Sequence, residues 1–198
     1  MRRFAALFAG LLIAFAPLRA SAETQQEREA LDTAGILVEM AHGALVAPDL
    51  DEAQRFQSLS FAVQQVFAFD IWEQFLLGDR AAAFSDSQIT EFRALLPDFL
   101  ARLYANQFGK GLDRKPEIQN ARTVRGDVLV RAQIPRAGDS SLPVDWRVRQ
   151  IDGQGSKVID VMVGGASFLI LKRDEFAALL DRGGPAELLG FMRTFVKG

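Results

Sequence analysis

Leu142-Pro143-Val144-Asp145-Trp146-Arg147-Val148-Arg149 reads as a β-strand with two unlike faces. Val144, Trp146 and Val148 leave on one side, and Asp145, Arg147 and Arg149 on the other, because side chains alternate along a strand. The same period appears on both flanks. Upstream, Val128, Val130, Ala132 and Ile134 alternate with Asp127, Leu129, Arg131 and Gln133. Downstream, Ile159, Val161 and Val163 alternate with Val158, Asp160 and Met162. Arg125-Gly126 and Asp152-Gly153-Gln154-Gly155 are turn sequences between these runs. Glu117 to Val124 supplies one more strand, giving an antiparallel sheet of about four strands with one apolar face.

Such a face needs a cover, and the flanking sequence provides helices. Leu31, Ala34, Leu37, Val38, Ala41 and Leu45 recur at helical spacing until Pro48-Asp49. Asp49 or Asp51 can cap a second helix that buries Phe56, Leu59, Ala62, Val63 and Val66. A short segment, Asp70 to Leu77, ends at Gly78. Ser85-x-x-Gln88 has the spacing of a capping box. It opens the longest helix, with Ile89, Phe92, Leu95, Leu96, Phe99, Leu100, Leu103 and Tyr104 on a broad apolar face. Pro97 lies inside this run. A proline in a helix interior costs about 3 kcal/mol, so a kink or a break is expected there. After the sheet, Phe168, Leu169, Leu171, Phe176, Leu179 and Leu180 form another helix. Gly183-Gly184-Pro185 breaks it, and a last short helix carries Leu188, Leu189, Phe191, Met192 and Phe195. Helices, sheet, helices make an α+β domain of two layers.

The first 22 residues stand apart. Arg2 and Arg3 form a positive start, Phe4 to Ala16 an apolar run, and Ala20-Ser21-Ala22 a small-residue cleavage site. The apolar run is short of the about 20 residues of a spanning helix, so it reads as a cleavable export signal. That leaves 23–198 as one domain. The chain has 23 basic and 25 acidic residues and no cysteine. Lipid attachment at a cysteine, disulfides, thiolate metal sites and cysteine nucleophiles are therefore excluded. There is no dense basic cluster, which argues against nucleic acid as a partner.

A catalytic set is not evident. His42 is the sole histidine and sits on a helix as an ordinary, partly exposed residue. The glycine pairs 164–165 and 183–184 lack the pattern of a phosphate loop. Asp145 and Asp160 could form an acid–base pair, but Asp145 shares a face with Arg147 and Arg149, and cross-strand charge pairing is the simpler account. The chain is rich in phenylalanine, with 16 in all. Composition alone fits either a filled core or an apolar cavity between helices and sheet.

Several stretches resemble the MlaC (toluene-tolerance) family of periplasmic phospholipid carriers. Phe69-Asp70 with Phe75-Leu76-Leu77-Gly78 is similar to that family's FD…LG segment. Gln88, Phe92, Leu96, Leu100 and Tyr104-Ala105 match its four-residue spacing. Leu142 to Arg149 resembles its PVDYRLR strand, and Lys157 to Ser167 its KVYDVIVEGVS segment. Phe176 and Asp181-Arg182-Gly183-Gly184-Pro185-Ala186-Glu187-Leu188 resemble its closing F…RDGIDGL. The likeness runs from about residue 30 to 195. It departs after Gly78, where Asp79-Arg80-Ala81-Ala82 replaces the usual aromatic, at Ser156 and Ile159, and at Pro97.

The resemblance implies a non-enzymatic, monomeric periplasmic shuttle with bound phospholipid as cargo and no cofactor. It also implies two docking partners: an inner-membrane ABC transporter complex and an outer-membrane lipoprotein/porin complex. The acyl chains are expected between the layers. From the helices, Phe75, Phe92, Leu96, Phe99, Leu100 and Tyr104 would line that space. From the sheet come Val130, Val144, Trp146, Val148, Ile159, Val161 and Val163, and Phe168 closes the list. Tyr104 is the best polar handle, since its ring can pack while its hydroxyl meets a head group or ester. A hopanoid-associated member of the same family, an exported hydrolase and a periplasmic interaction protein with a solid core are the competing readings.

Overall fold

The structure is a computed structural model that describes residues 24–108, 114–136 and 140–198. The export signal read at residues 1–22 lies outside them. In chain order the elements are α1 (Gln25–Val46), α2 (Glu52–Val66), α3 (Phe69–Leu77), a 3-10 turn (Gly78–Ala83) and α4 (Asp86–Phe108). Then come β1 (Glu117–Val124), β2 (Asp127–Pro135), β3 (Ser141–Ile151), β4 (Gly155–Val163), β5 (Ala166–Ser167) and α5 (Phe168–Lys197).

The strands form one antiparallel meander in the order β1-β2-β3-β4-β5. The fifth is a two-residue strand that pairs with the end of β4. Its brevity explains why periodicity predicted about four. Tight links between neighbours keep sequence order and spatial order the same. Val130 stands opposite Trp146 on β3, and Trp146 opposite Val161 on β4. Together they make the helix-facing surface of the sheet.

One strand departs from strict alternation. The β3–β4 register runs Trp146↔Val161 and Arg147↔Asp160, then slips so that Val148 pairs with Val158. Ile159 is the extra residue of a β-bulge. Val158 therefore joins the core, and Ile159 turns outward with Asp160. This corrects the period-two reading, which put Ile159 on the helix side. The slip also lets the chain reach across: Phe67 bridges to Val158, and the Ala68 N–H donates to the Val158 carbonyl at 3.1 Å.

The helix starts follow their caps. Thr24 with Glu27, Asp51 with Gln54, and Ser85 with Gln88 each form a reciprocal capping box. Each satisfies two orphan donors of the first turn. Gly78 ends α3 at φ +50°, where a side chain would be strained. The break expected at Pro97 does not occur, and α4 runs as one helix from Asp86 to Phe108. Leu96, Phe99 and Leu100 are buried on both sides of the proline. Their packing outweighs its local cost of about 3 kcal/mol. The break at Gly183-Gly184 does occur. Both residues leave helical geometry, with Gly184 at φ +65° and ψ −163°.

The core has two parts. Between α1, α2 and the sheet it is built from small and aliphatic residues such as Ala34, Leu37, Val63 and Val128. Between α4 and α5 it is aromatic: Phe99 lies 5.3 Å from Phe176, 6.1 Å from Phe191 and 4.8 Å from Phe195, centroid to centroid.

Candidate functional site

Where α3, α4 and the start of α5 cross β4, the two layers meet along an apolar seam. It is lined by Phe67, Trp72, Leu100, Leu103, Tyr104, Phe108, Val161 and Phe168. The helical spacing of Leu100, Tyr104 and Phe108 puts one stripe of α4 against it. The free volume is about 10 Å³, room for about one water molecule. The seam is apolar but carries two polar atoms. The Trp72 indole Nε1 is buried with no hydrogen-bond partner. A buried donor without a partner costs about 1–3 kcal/mol. The Tyr104 hydroxyl also makes no hydrogen bond among the described residues, and burial pushes its phenol well above the ordinary value. Trp146, on the helix-facing side of β3, has a buried unpaired Nε1 as well.

Of the residues expected to line the interlayer space, Leu100, Tyr104, Val161 and Phe168 meet at this seam. Leu96, Val130, Val144, Trp146 and Val148 are buried in the continuous core beside it, and Val163 packs on its edge. Phe92 and Phe99 instead face α5, in contact with Phe176. Phe75 and Ile159 lie elsewhere. They line a groove on the outer face of the sheet with Ile71, Arg147, Arg149 and Ile170. Phe75 is 37% exposed there, with the Arg173 guanidinium 5.0 Å from its ring centroid. Sequence reasoning missed Phe67, Trp72 and Phe108. Trp72 shares the i, i+4 face of Leu76, which was the available signal.

A larger groove lies at the α3–α4 boundary, with a volume of about 560 Å³. It is lined by Phe69, Asp70, Glu73, Gln74, Gly78, Ala81, Arg93 and Leu96. Arg93 donates to both oxygens of Glu73 at 2.8 Å, tying α4 to α3. The Arg93 side chain is 62% exposed, so solvent screens the pair and it adds little to stability.

The carboxylates weighed for catalysis have structural partners. Asp145 accepts two bonds from Arg131, both 2.8 Å. Asp127 accepts from Arg147 at 2.6 Å and from Arg149 at 2.7 Å. Burial alone would raise the Asp127 carboxyl, but the two arginines outweigh it and hold it below the usual range. Asp160 accepts from the Ser167 hydroxyl and from the Val161 and Leu169 amides, fixing the turn into α5. Burial raises its pKa despite those bonds. No donor set for a metal occurs among the described residues, and none of their helices is long and apolar enough to cross a membrane.

A family model described as MlaC protein matches residues 40–194. Among solved structures, the chain is similar to a phospholipid-binding protein from Ralstonia solanacearum in complex with a phospholipid. The two are 20% identical with a TM-score of 0.69, covering 88% of this chain and 98% of that one. That likeness shows a shared fold. No curated protein sequence matches.

Proposed function

The chain belongs to the MlaC family, and from that premise we propose that it is a periplasmic phospholipid carrier. Residues 23–198 would be one lipid-binding domain, exported by the signal at 1–22 and moving lipid between outer and inner membrane. The family binds lipid without performing chemistry on it. The observation that carries the reading is the seam. It joins two layers along apolar side chains and holds polar donors without a partner among the described residues. An incoming ester would supply their acceptors, and acyl chains would replace the contacts between α4 and β4.

Each methylene kept out of water is worth roughly 0.8 kcal/mol, so a chain with about a dozen of them is held against release into the aqueous gap by roughly 10 kcal/mol. Docking to an inner-membrane ABC transporter complex and an outer-membrane lipoprotein/porin complex follows from family membership and is part of the proposal.

Native mass spectrometry of protein purified without detergent tests it. The expected result is a mass increment that organic extraction returns as phospholipid. A hopanoid in the extract would move the chain to the hopanoid-associated reading. The closed seam favours a second reading, an interaction protein with a filled core. Protein that stays lipid-free after incubation with phospholipid vesicles would sink the carrier and leave that second reading.

A further inference from the structure

A lipid with its chains in the seam must leave its head group where the seam meets solvent. The seam and the α3–α4 groove draw on neighbouring turns of the same two helices. On α3, Phe69 lines the groove and Trp72, three residues on, lines the seam. On α4, Leu96 lines the groove and Leu100, one turn on, lines the seam. The groove is preformed, and its volume of about 560 Å³ falls in the range of small-molecule sites. Its charged lining is one guanidinium, Arg93, and two carboxylates, Glu73 and Asp70. Arg93 and Glu73 hold each other, with the Arg93 side chain 62% exposed and Glu73 19% exposed, so the guanidinium can reach an incoming phosphate from the solvent side. Trp72, on the seam side of α3, is 1% exposed and its indole N–H has no acceptor among the described residues.

We propose that this groove is the head-group subsite and that it selects zwitterionic, amine-bearing phospholipids. Arg93 pairs with the phosphate, Glu73 and Asp70 with the ammonium, and Trp72 Nε1 donates to an ester carbonyl. The lipid's own charge pair replaces the Glu73–Arg93 pair, so Arg93 and Glu73 each keep a counter-charge. A purely anionic head group would face two carboxylates with no cation of its own. This inference rests on the carrier reading above.

The test loads full-length mature protein from vesicles holding equal phosphatidylethanolamine and phosphatidylglycerol with identical acyl chains. Bound lipid is then extracted and quantified. The wild type should enrich phosphatidylethanolamine several-fold. Glu73→Gln should bring the ratio towards parity, and Arg93→Gln should lower retention of both lipids. The Trp72 indole proton, identified by its absence in Trp72→Phe, should shift downfield on loading. The lipid ratio is read only on folded, loaded protein, so lost folded material does not distort it. Equal loading of the two lipids by the wild type, or an unchanged ratio in Glu73→Gln, overturns the subsite and leaves the carrier reading standing. No loading of either lipid overturns both.

Discussion

Tyr104 is the only tyrosine in the chain, so phenolate absorbance reports on one position at the seam. Burial pushes its phenol well above the ordinary value. The unfolded chain ionises Tyr104 near pH 10, while the folded chain keeps it neutral. Protons are therefore bound more tightly by the folded state, and stability is lost as pH rises above 10. Other side chains also titrate there, so the quantity to measure is the difference from Tyr104→Phe, which shares them. Between about pH 9 and pH 11 the wild type should lose about 1.4 kcal/mol more than the variant. With a urea slope of about 2 kcal/mol per molar, the gap between their midpoints should change by about 0.7 M. Urea titrations at the two pH values check this, with phenolate absorbance followed in the native protein. Phenolate forming near pH 10 while the protein remains folded would refute the reasoning. So would a midpoint difference that does not change with pH.

Asp127→Asn should cost about 1–2 kcal/mol at neutral pH, a value discounted because Arg147 and Arg149 are 37% and 45% exposed. The lowered carboxyl stabilises the fold above about pH 4 and loses that effect as pH falls through its folded value, so urea midpoints of wild type and variant should converge in acid. Gly184→Ala meets open space but a backbone at φ +65° and ψ −163°. A loss of about 1–3 kcal/mol is expected from conformation alone, read as a fall of about 2–4 °C in Tm per kcal/mol. Phe99→Ala, emptying a fully buried site among three rings, should cost about 3–5 kcal/mol in a urea titration.

The layers were legible because period two and period 3.6 are set by local geometry. The strand runs at Asp127–Pro135 and Ser141–Ile151 alternate strictly, and the structure places their faces as read. The breaks came where tertiary contacts override local rules. Of the kink or break expected at Pro97, the break does not occur, because buried neighbours on both sides hold α4 together. Phe75 was misplaced because the apolar arc of α3 is wide: Trp72 and Leu76 are buried near its middle, while Ile71 and Phe75 sit at one edge. Periodicity finds such an arc but does not say how much of it the sheet covers. Phe67 and Trp72 enter the seam through the bridge to Val158, a pairing between segments far apart in sequence. The α3–α4 groove is likewise a relation between two helices and leaves no trace in either alone. Asp127 drew no attention as a polar strand residue, although it anchors two arginines from the neighbouring strand.

The bulge at Ile159 has a consequence for how this sequence tolerates change in length. It holds one residue more than the ladder opposite requires, and on either side of it the pairing is regular. Removing Ile159 would restore unbroken pairing without reversing Val158 or Val161, both already turned to the interior. Removing a residue farther along either regular stretch would turn part of the strand inside out. A one-residue deletion, ordinarily ruinous in a central strand, can thus be absorbed in β4 only at the bulge. The cost falls on the outer groove, which would lose its floor beneath Phe75 and Ile71.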